Sequence, residues 1–215
     1  MKLVYIALFI LFLPLLFFLV ARLVRAFFDF PMPAFLADLI DNPLRRRIQP
    51  PVEMPLRHGI REGMRVLEVG PGNGRYSVET ARQIGCGGML AVVDIEHAML
   101  KKTMRRAKDE EVINLVPALA SVHCLPFTNN ALDATYMIAV IGEIPQLEKA
   151  MGEFWRVLST GGMLAFSELL PDPDFMLPKT LIHLARGAGF HLKNRVAGWL
   201  TYTLLFQKDG KFSSA

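Results

Sequence analysis

The sequence predicts an α/β fold: a seven-stranded, mostly parallel sheet with an antiparallel C-terminal hairpin, preceded by one transmembrane helix. Three observations carry this reading. From residue 63 onward, strand-like and helix-like segments alternate, the pattern of a parallel sheet covered on both faces. The stretch "VLEVGPGNGRYSVETA", Val66–Ala81, passes from an apolar run into helical spacing through three glycines at alternate positions. At the amino end, no charged residue occurs from Leu3 to Ala21.

Those 19 residues, at ~1.5 Å each, reach across the hydrocarbon core of a bilayer. Pro14 interrupts the run, which a membrane helix tolerates when neighbouring groups satisfy the freed carbonyl. Arg22, Arg25, Arg45, Arg46 and Arg47 follow it, against Lys2 and the amino terminus before it, so the positive-inside bias puts the following domain in the cytoplasm. A hairpin bent at Pro14 and a cleaved signal peptide are the alternatives; "LVARLVRAFF" sets arginines where a mature chain would begin, which argues against cleavage. Residues 1–25 therefore read as an anchor and 26–52 as a proline-punctuated juxtamembrane linker. The linker carries a short helix patterned on Phe35, Leu36, Leu39 and Ile40, and residues 53–210 form the main domain.

Within that domain a short helix is expected over Glu53–His58. Strands are expected at Arg65–Val69, Met89–Asp94, Ile113–Leu119, Ala134–Val140, Gly162–Glu168, Phe190–Val196 and Leu200–Gln207. Helices are expected at Arg75–Ile84, Glu96–Lys108 and Gln146–Leu158. Only a few residues around Gly198 separate the last two strands, so they pair antiparallel.

Composition narrows the partners. A net charge of +4 and an isoelectric point near 9.2 suit either nucleic acid or an anionic membrane. Lys101, Lys102, Arg105, Arg106 and Lys108 crowd one helix without aromatic stacking platforms, so they read as a solvated face and no nucleic-acid partner is expected. The juxtamembrane arginines, beside the apolar run, are placed to meet anionic headgroups. Cys86 and Cys124 are too few for a disulfide framework or a metal site, and both read as ordinary buried cysteines. His123 and His183 have no spaced ligand partner, so no metal is expected.

The loop Glu68-Val69-Gly70-Pro71-Gly72-Asn73-Gly74 lets the backbone turn tightly and admit a ligand with no Cβ in the way. Its third glycine falls one residue early for G-x-G-x-x-G, and no G-x-x-x-x-G-K-[ST] occurs. Twenty residues past Gly74, the second strand ends in "VVDIE", setting Asp94 where an acid can accept both hydroxyls of a ribose.

With "AVVDIEHAML", "HCLPFTNNALDATYMI" and "EFWRVLSTGGMLAFSELLPDP", this loop resembles the class I S-adenosylmethionine-dependent methyltransferases, in particular the group that includes the quinone-biosynthesis enzymes. The resemblance runs from about Pro51 to Lys208 and implies a Rossmann-like sheet with S-adenosylmethionine as cofactor. It implies that Glu68, Gly70, Gly72, Asn73 and Gly74 surround the methionine and ribose portions, that Asp94 binds the ribose hydroxyls, and that Ile95 packs on adenine. Where many members carry an acid before "LPF", this chain has Ser121, an uncharged acceptor, with Val122 offering its backbone amide.

Methyl transfer from a sulfonium needs alignment and exclusion of water, and a general base only if the acceptor loses a proton. Candidates near the strand ends are Glu143, Glu168, Asp172 and His58. Glu143 serves either as base or as cap of the next helix; Glu168 and Asp172 read as polar groups at a strand exit, and His58 as a solvated residue. The expected protein is a membrane-anchored enzyme with a small hydrophobic or lipidic acceptor, and "GEIP", "FMLPKTLIHLARGAGF" and the proline-rich cover are expected to line its entrance. A non-catalytic methyltransferase-like membrane scaffold and a methyltransferase of a soluble metabolite are the alternatives.

Overall fold

The computed structural model describes residues 41–209 and the isolated positions Tyr5, Phe12 and Leu16. The expected anchor and the Phe35–Ile40 pattern lie, apart from those three positions, outside the described residues. Among the described residues no helix is long and apolar enough to cross a membrane.

The elements in chain order are α1 (Pro43–Ile48), α2 (Met54–Arg57), β1 (Arg65–Val69), α3 (Arg75–Ile84), β2 (Met89–Asp94), α4 (His97–Asp109), β3 (Leu115–Leu119) and β4 (Leu132–Ile138). A 3-10 turn (Ile141–Glu143), α5 (Leu147–Val157), β5 (Leu158–Leu169), α6 (Pro178–Gly187), β6 (Phe190–Ala197) and β7 (Thr201–Lys208) complete the domain. The sheet order is β3-β2-β1-β4-β5-β7-β6. β1 to β5 pair in parallel, and β7 runs antiparallel to both β5 and β6.

Side-chain alternation divides the core. Val66, Leu90 and Val92 face α3 and α4 residues such as Ala81, Ile84 and Leu100, whereas Leu67, Ala91 and Val93 share the opposite core with Phe154, Trp155 and Leu181. Each such large apolar side chain contributes about 1.5–3 kcal/mol by leaving water.

Where element ends differ from expectation, polar contacts decide. β3 begins at Leu115, just after Asn114, whose side-chain amide donates to the Ala81 and Gly85 carbonyls at the end of α3. β4 stops at Ile138 because Ala139 takes φ 53°, and the chain then turns through Ile141–Glu143. "FMLPKTLIHLARGAGF" holds α6, a helix that was not expected; Pro178 starts it at a position needing no N–H, and Leu181 and Ala185 are buried. No residue of α6 lines the cavity described below, so that part of the expected entrance is corrected.

The linker is corrected as well. Its arginine run forms α1, where the Asn42 side chain accepts from Arg45 N–H at 3.0 Å. Gln49 beyond α1 is buried and donates to the Glu168 carbonyl and to Thr201 Oγ1, so the segment after α1 is fastened to the domain at that residue. His58 is 1% exposed, stacked on Tyr136 and 2.8 Å from Ser167 Oγ, not solvated. Burial, helped by Arg57, pushes its pKa down to about 3, so it is a neutral core group outside the cavity wall. Cys86 and Cys124 are both exposed, not buried.

Glu168 is also buried, its Oε2 accepting the Met176 N–H at 3.2 Å. Burial pushes its pKa from 4.5 up to about 8, with Asp172 adding to the rise. The folded chain thus keeps a proton that the unfolded chain releases, so this group's effect on stability turns unfavourable as pH rises from 4.5 and levels above about 8. Glu168→Gln is expected to flatten that decline, at up to about 1.4 kcal/mol per pH unit. Thermal melts of both proteins at about pH 5 and about pH 9 check it; parallel pH profiles would count against it.

Candidate cofactor and acceptor site

Open parallel sheets bind ligands at the carboxyl ends of their strands, where β1 and β4 diverge to opposite sides. Here a cavity of about 330 Å³ opens at that end. It brings together Glu68, Gly70, Gly72 and Asn73 after β1, Asp94 and Ile95 after β2, Ser121 and Val122 after β3, and Glu143 after β4.

Gly74 is the exception among the expected cofactor residues: it is absent from the wall. A Cβ there would lie 2.9 Å from the Thr103 Cα, so this glycine lets α3 start directly against α4. Gly70 also answers to packing, since a Cβ would come within 2.6 Å of Val140 Cγ2. Of the three loop glycines, Gly72 alone would let an added Cβ meet nothing within 4 Å.

Asp94 accepts the Glu96 N–H at 2.8 Å through Oδ1. Burial pushes its pKa up to about 6, the Glu96 N–H opposing and the Glu96 charge assisting. Ile95 beside it is 60% exposed, an apolar surface suited to a flat ring. Glu68 is buried with Oε2 lacking a hydrogen-bond partner among the described residues; burial raises its pKa to about 7, with the Ser77 and Tyr136 hydroxyls opposing the rise. A buried carboxyl of this kind is a ready partner for a cationic ligand.

Ser121 is held by His123. The imidazole Nε2 lies 2.7 Å from the Pro145 carbonyl, which can only accept, so in the neutral ring Nδ1 is the acceptor for the Ser121 hydroxyl at 3.1 Å. Ser121 Oγ also accepts the His123 N–H at 3.2 Å, leaving one lone pair for an amine donor. Glu143 lines the cavity and does not cap α5, whose N-cap is Gln146 without a side-chain hydrogen bond. Asp172 lines the cavity too, whereas Glu168 does not.

Two residues of the wall lie in what the sequence presents as linker. Asp41 receives hydrogen bonds from Arg46, Asn73 and Arg75 and lies 3.5 Å from Arg106. Partial burial opposes its charge, but these bonds hold its pKa well below the carboxylate range. Arg106, read from sequence as part of a solvated face, is thereby drawn to the glycine loop, donating to Asn73 Oδ1 at 2.9 Å. Arg45 lines the same wall, with a buried Nε that has no hydrogen-bond partner among the described residues. A fixed cation among carboxylates suits a ligand with one carboxylate and otherwise positive groups.

The donor set fits S-adenosylmethionine. Asp94 would take the ribose hydroxyls, Ile95 the adenine face, Ser121 the adenine amine, Glu68 the cationic methionine end and Arg45 its carboxylate. Residues 67–166 match the family described as "Methyltransferase domain". Over residues 67–166 the chain is thus similar to that family, and the residues lining the cavity fit S-adenosylmethionine as its cofactor.

Among curated proteins, the chain is 30% identical over 119 residues to the ubiquinone/menaquinone biosynthesis C-methyltransferase UbiE of Yersinia enterocolitica, covering 54% of this chain and 47% of that protein. The chain thus spans about half the length of the curated relatives it matches. Its fold matches a SAM dependent methyltransferase from Aquifex aeolicus with a TM-score of 0.77 at 20% identity, over 82% of this chain and 99% of that one. It also matches the cyclase SpnF with a TM-score of 0.65 at 18% identity, over 76% and 80% of the two chains. Among the described residues, no group of three or more His, Cys, Asp or Glu could hold a metal ion.

Proposed function

We propose that this chain is a membrane-anchored methyltransferase that moves a methyl group from S-adenosylmethionine to a small hydrophobic or lipidic acceptor. The observation that carries the reading is the wall of the cavity opposite Asp94, where Glu143 stands beside the apolar Val140, Ile144 and Pro145. A carboxylate in an apolar lip can take a proton from an acceptor whose remainder is apolar. The relative's role in ubiquinone/menaquinone biosynthesis makes a quinone-type ring the acceptor class that fits this lip.

The bound cofactor would supply an activated methyl group. The chain's own residues then align and shield it: Asp94 and Ile95 fix the nucleoside, Arg45 and Glu68 the amino-acid end, and Glu143 receives the acceptor's proton. Residues 3–21 are the anchor in this reading, with the domain on the cytoplasmic side, as the arginines after the run favour. Tethering would raise the effective concentration of an acceptor dissolved in the bilayer.

The test follows methyl incorporation into a vesicle-borne quinone-type acceptor. Glu143→Gln should lower kcat by about 10²-fold or more with cofactor affinity unchanged. Removing residues 1–28 should spare cofactor binding and reduce turnover of the vesicle-borne acceptor. Equal turnover without residues 1–28 would reject anchoring, and full activity of Glu143→Gln would reject that residue as the base.

A further inference from the structure

The end of the sheet on which the cavity opens also carries large apolar side chains that the domain leaves uncovered. Trp199, at the tip between β6 and β7, is 96% exposed. Leu177, which precedes α6, is 64% exposed, Leu44 on α1 is 67% exposed, and Val196 near the end of β6 is exposed as well. Topology puts all four at one end of the sheet. β6 runs parallel to β5 because each is antiparallel to β7, so the β6–β7 tip lies at the carboxyl end of β5. α1 is tied to that end by Gln49, which reaches both the Glu168 carbonyl and Thr201. Leu177 is held there through Met176, whose N–H binds Glu168 and whose carbonyl accepts from the Tyr202 hydroxyl.

Exposed cations lie on the same or adjoining elements: Arg47 on α1, Lys179 on α6 and Arg195 on β6. The neighbouring acid Asp172 lines the cavity. Tryptophan with aliphatic residues and scattered cations is the composition that settles into a phospholipid interface, the indole at headgroup depth and the cations on anionic lipid. The chain itself points the same way. Asp41 lies on the cavity wall at this end, and the 19 residues 22–40 between it and the uncharged run reach at most on the order of 60 Å.

We propose that Leu44, Leu177, Val196 and Trp199 form a bilayer-docking surface that seats on anionic phospholipid and sets the cavity mouth against the headgroup layer. It rests on the membrane reading above and adds a second contact to it, made by the folded domain. An acceptor leaving the bilayer would then enter the cavity without crossing water.

Trp199 is its own probe, because the other tryptophan, Trp155, is buried between Phe190 and Lys208. The full chain is reconstituted with phosphatidylcholine vesicles, with and without phosphatidylglycerol, containing brominated lipid. Emission is compared between wild type and Trp199→Phe. The expected result is a blue-shifted Trp199 component quenched by brominated lipid, more strongly with phosphatidylglycerol, and weakened in Arg47→Glu and Arg195→Glu. A chain that floats with the vesicles while Trp199 stays water-like and unquenched overturns docking and leaves anchoring standing. Failure to float overturns both. A blue shift that follows protein concentration without vesicles assigns the surface to a second copy, and overturns the proposal.

Discussion

Asp94→Ala is expected to lower the affinity for S-adenosylmethionine by about 10²-fold, because two ribose hydroxyls would lose one charged acceptor worth on the order of 3 kcal/mol net. The effect depends on pH with a definite sign. Burial raises the Asp94 pKa to about 6, and hydroxyl donors prefer the carboxylate, so binding releases a proton below that value and affinity climbs through about pH 6 to a plateau. Asp94→Asn keeps one acceptor oxygen and cannot titrate, so its affinity should lie between the two and change less across that window. Calorimetric titration of the three proteins from about pH 5 to about pH 8 reads both effects. Undiminished binding by Asp94→Ala would remove the ribose assignment.

The features legible in sequence were those whose causes are local. β1, β2 and α3 end where expected because apolar runs and glycines mark them within a few residues. The cavity residues at the strand ends follow from the same turns, since a parallel sheet sends every βα turn to one end. What sequence did not show is set by contacts distant along the chain. His58 is core because α2 lies over the sheet beside Tyr136 and Ser167, 109 positions away in the latter case. Asp41 and Arg45 belong to the cavity because the linker folds back onto Asn73 and Arg75, and nothing in "DNPLRRRIQPP" announces that. α6 was hidden because Pro178, which starts it, reads equally as a breaker. The apolar run before residue 41 is legible only as composition, so its role stays with the vesicle experiments.

The glycine loop illustrates how one motif holds two kinds of constraint, and alanine separates them. Gly72 has φ 59°, so alanine there costs about 1–2 kcal/mol of backbone strain, but its methyl meets no protein atom. The methyl stands instead on the wall where a ligand must approach. Gly72→Ala should therefore keep the fold and lose cofactor affinity by at least about 10-fold, the equivalent of ~1.4 kcal/mol. Gly74 has φ 79° and pays the same strain, with a further 1–3 kcal/mol, roughly, because its methyl would press on the Thr103 backbone and push α3 from α4. That shift would also strain the Thr103 hydroxyl's bond to the Gly72 carbonyl, now 3.2 Å. Gly74→Ala should accordingly lower the melting temperature well beyond Gly72→Ala, and saturating S-adenosylmethionine should recover part of the loss by mass action. Melting curves with and without ligand test the pair. Equal stability losses at the two positions would mean that the loop is one rigid unit and that the division between packing glycine and ligand glycine is wrong.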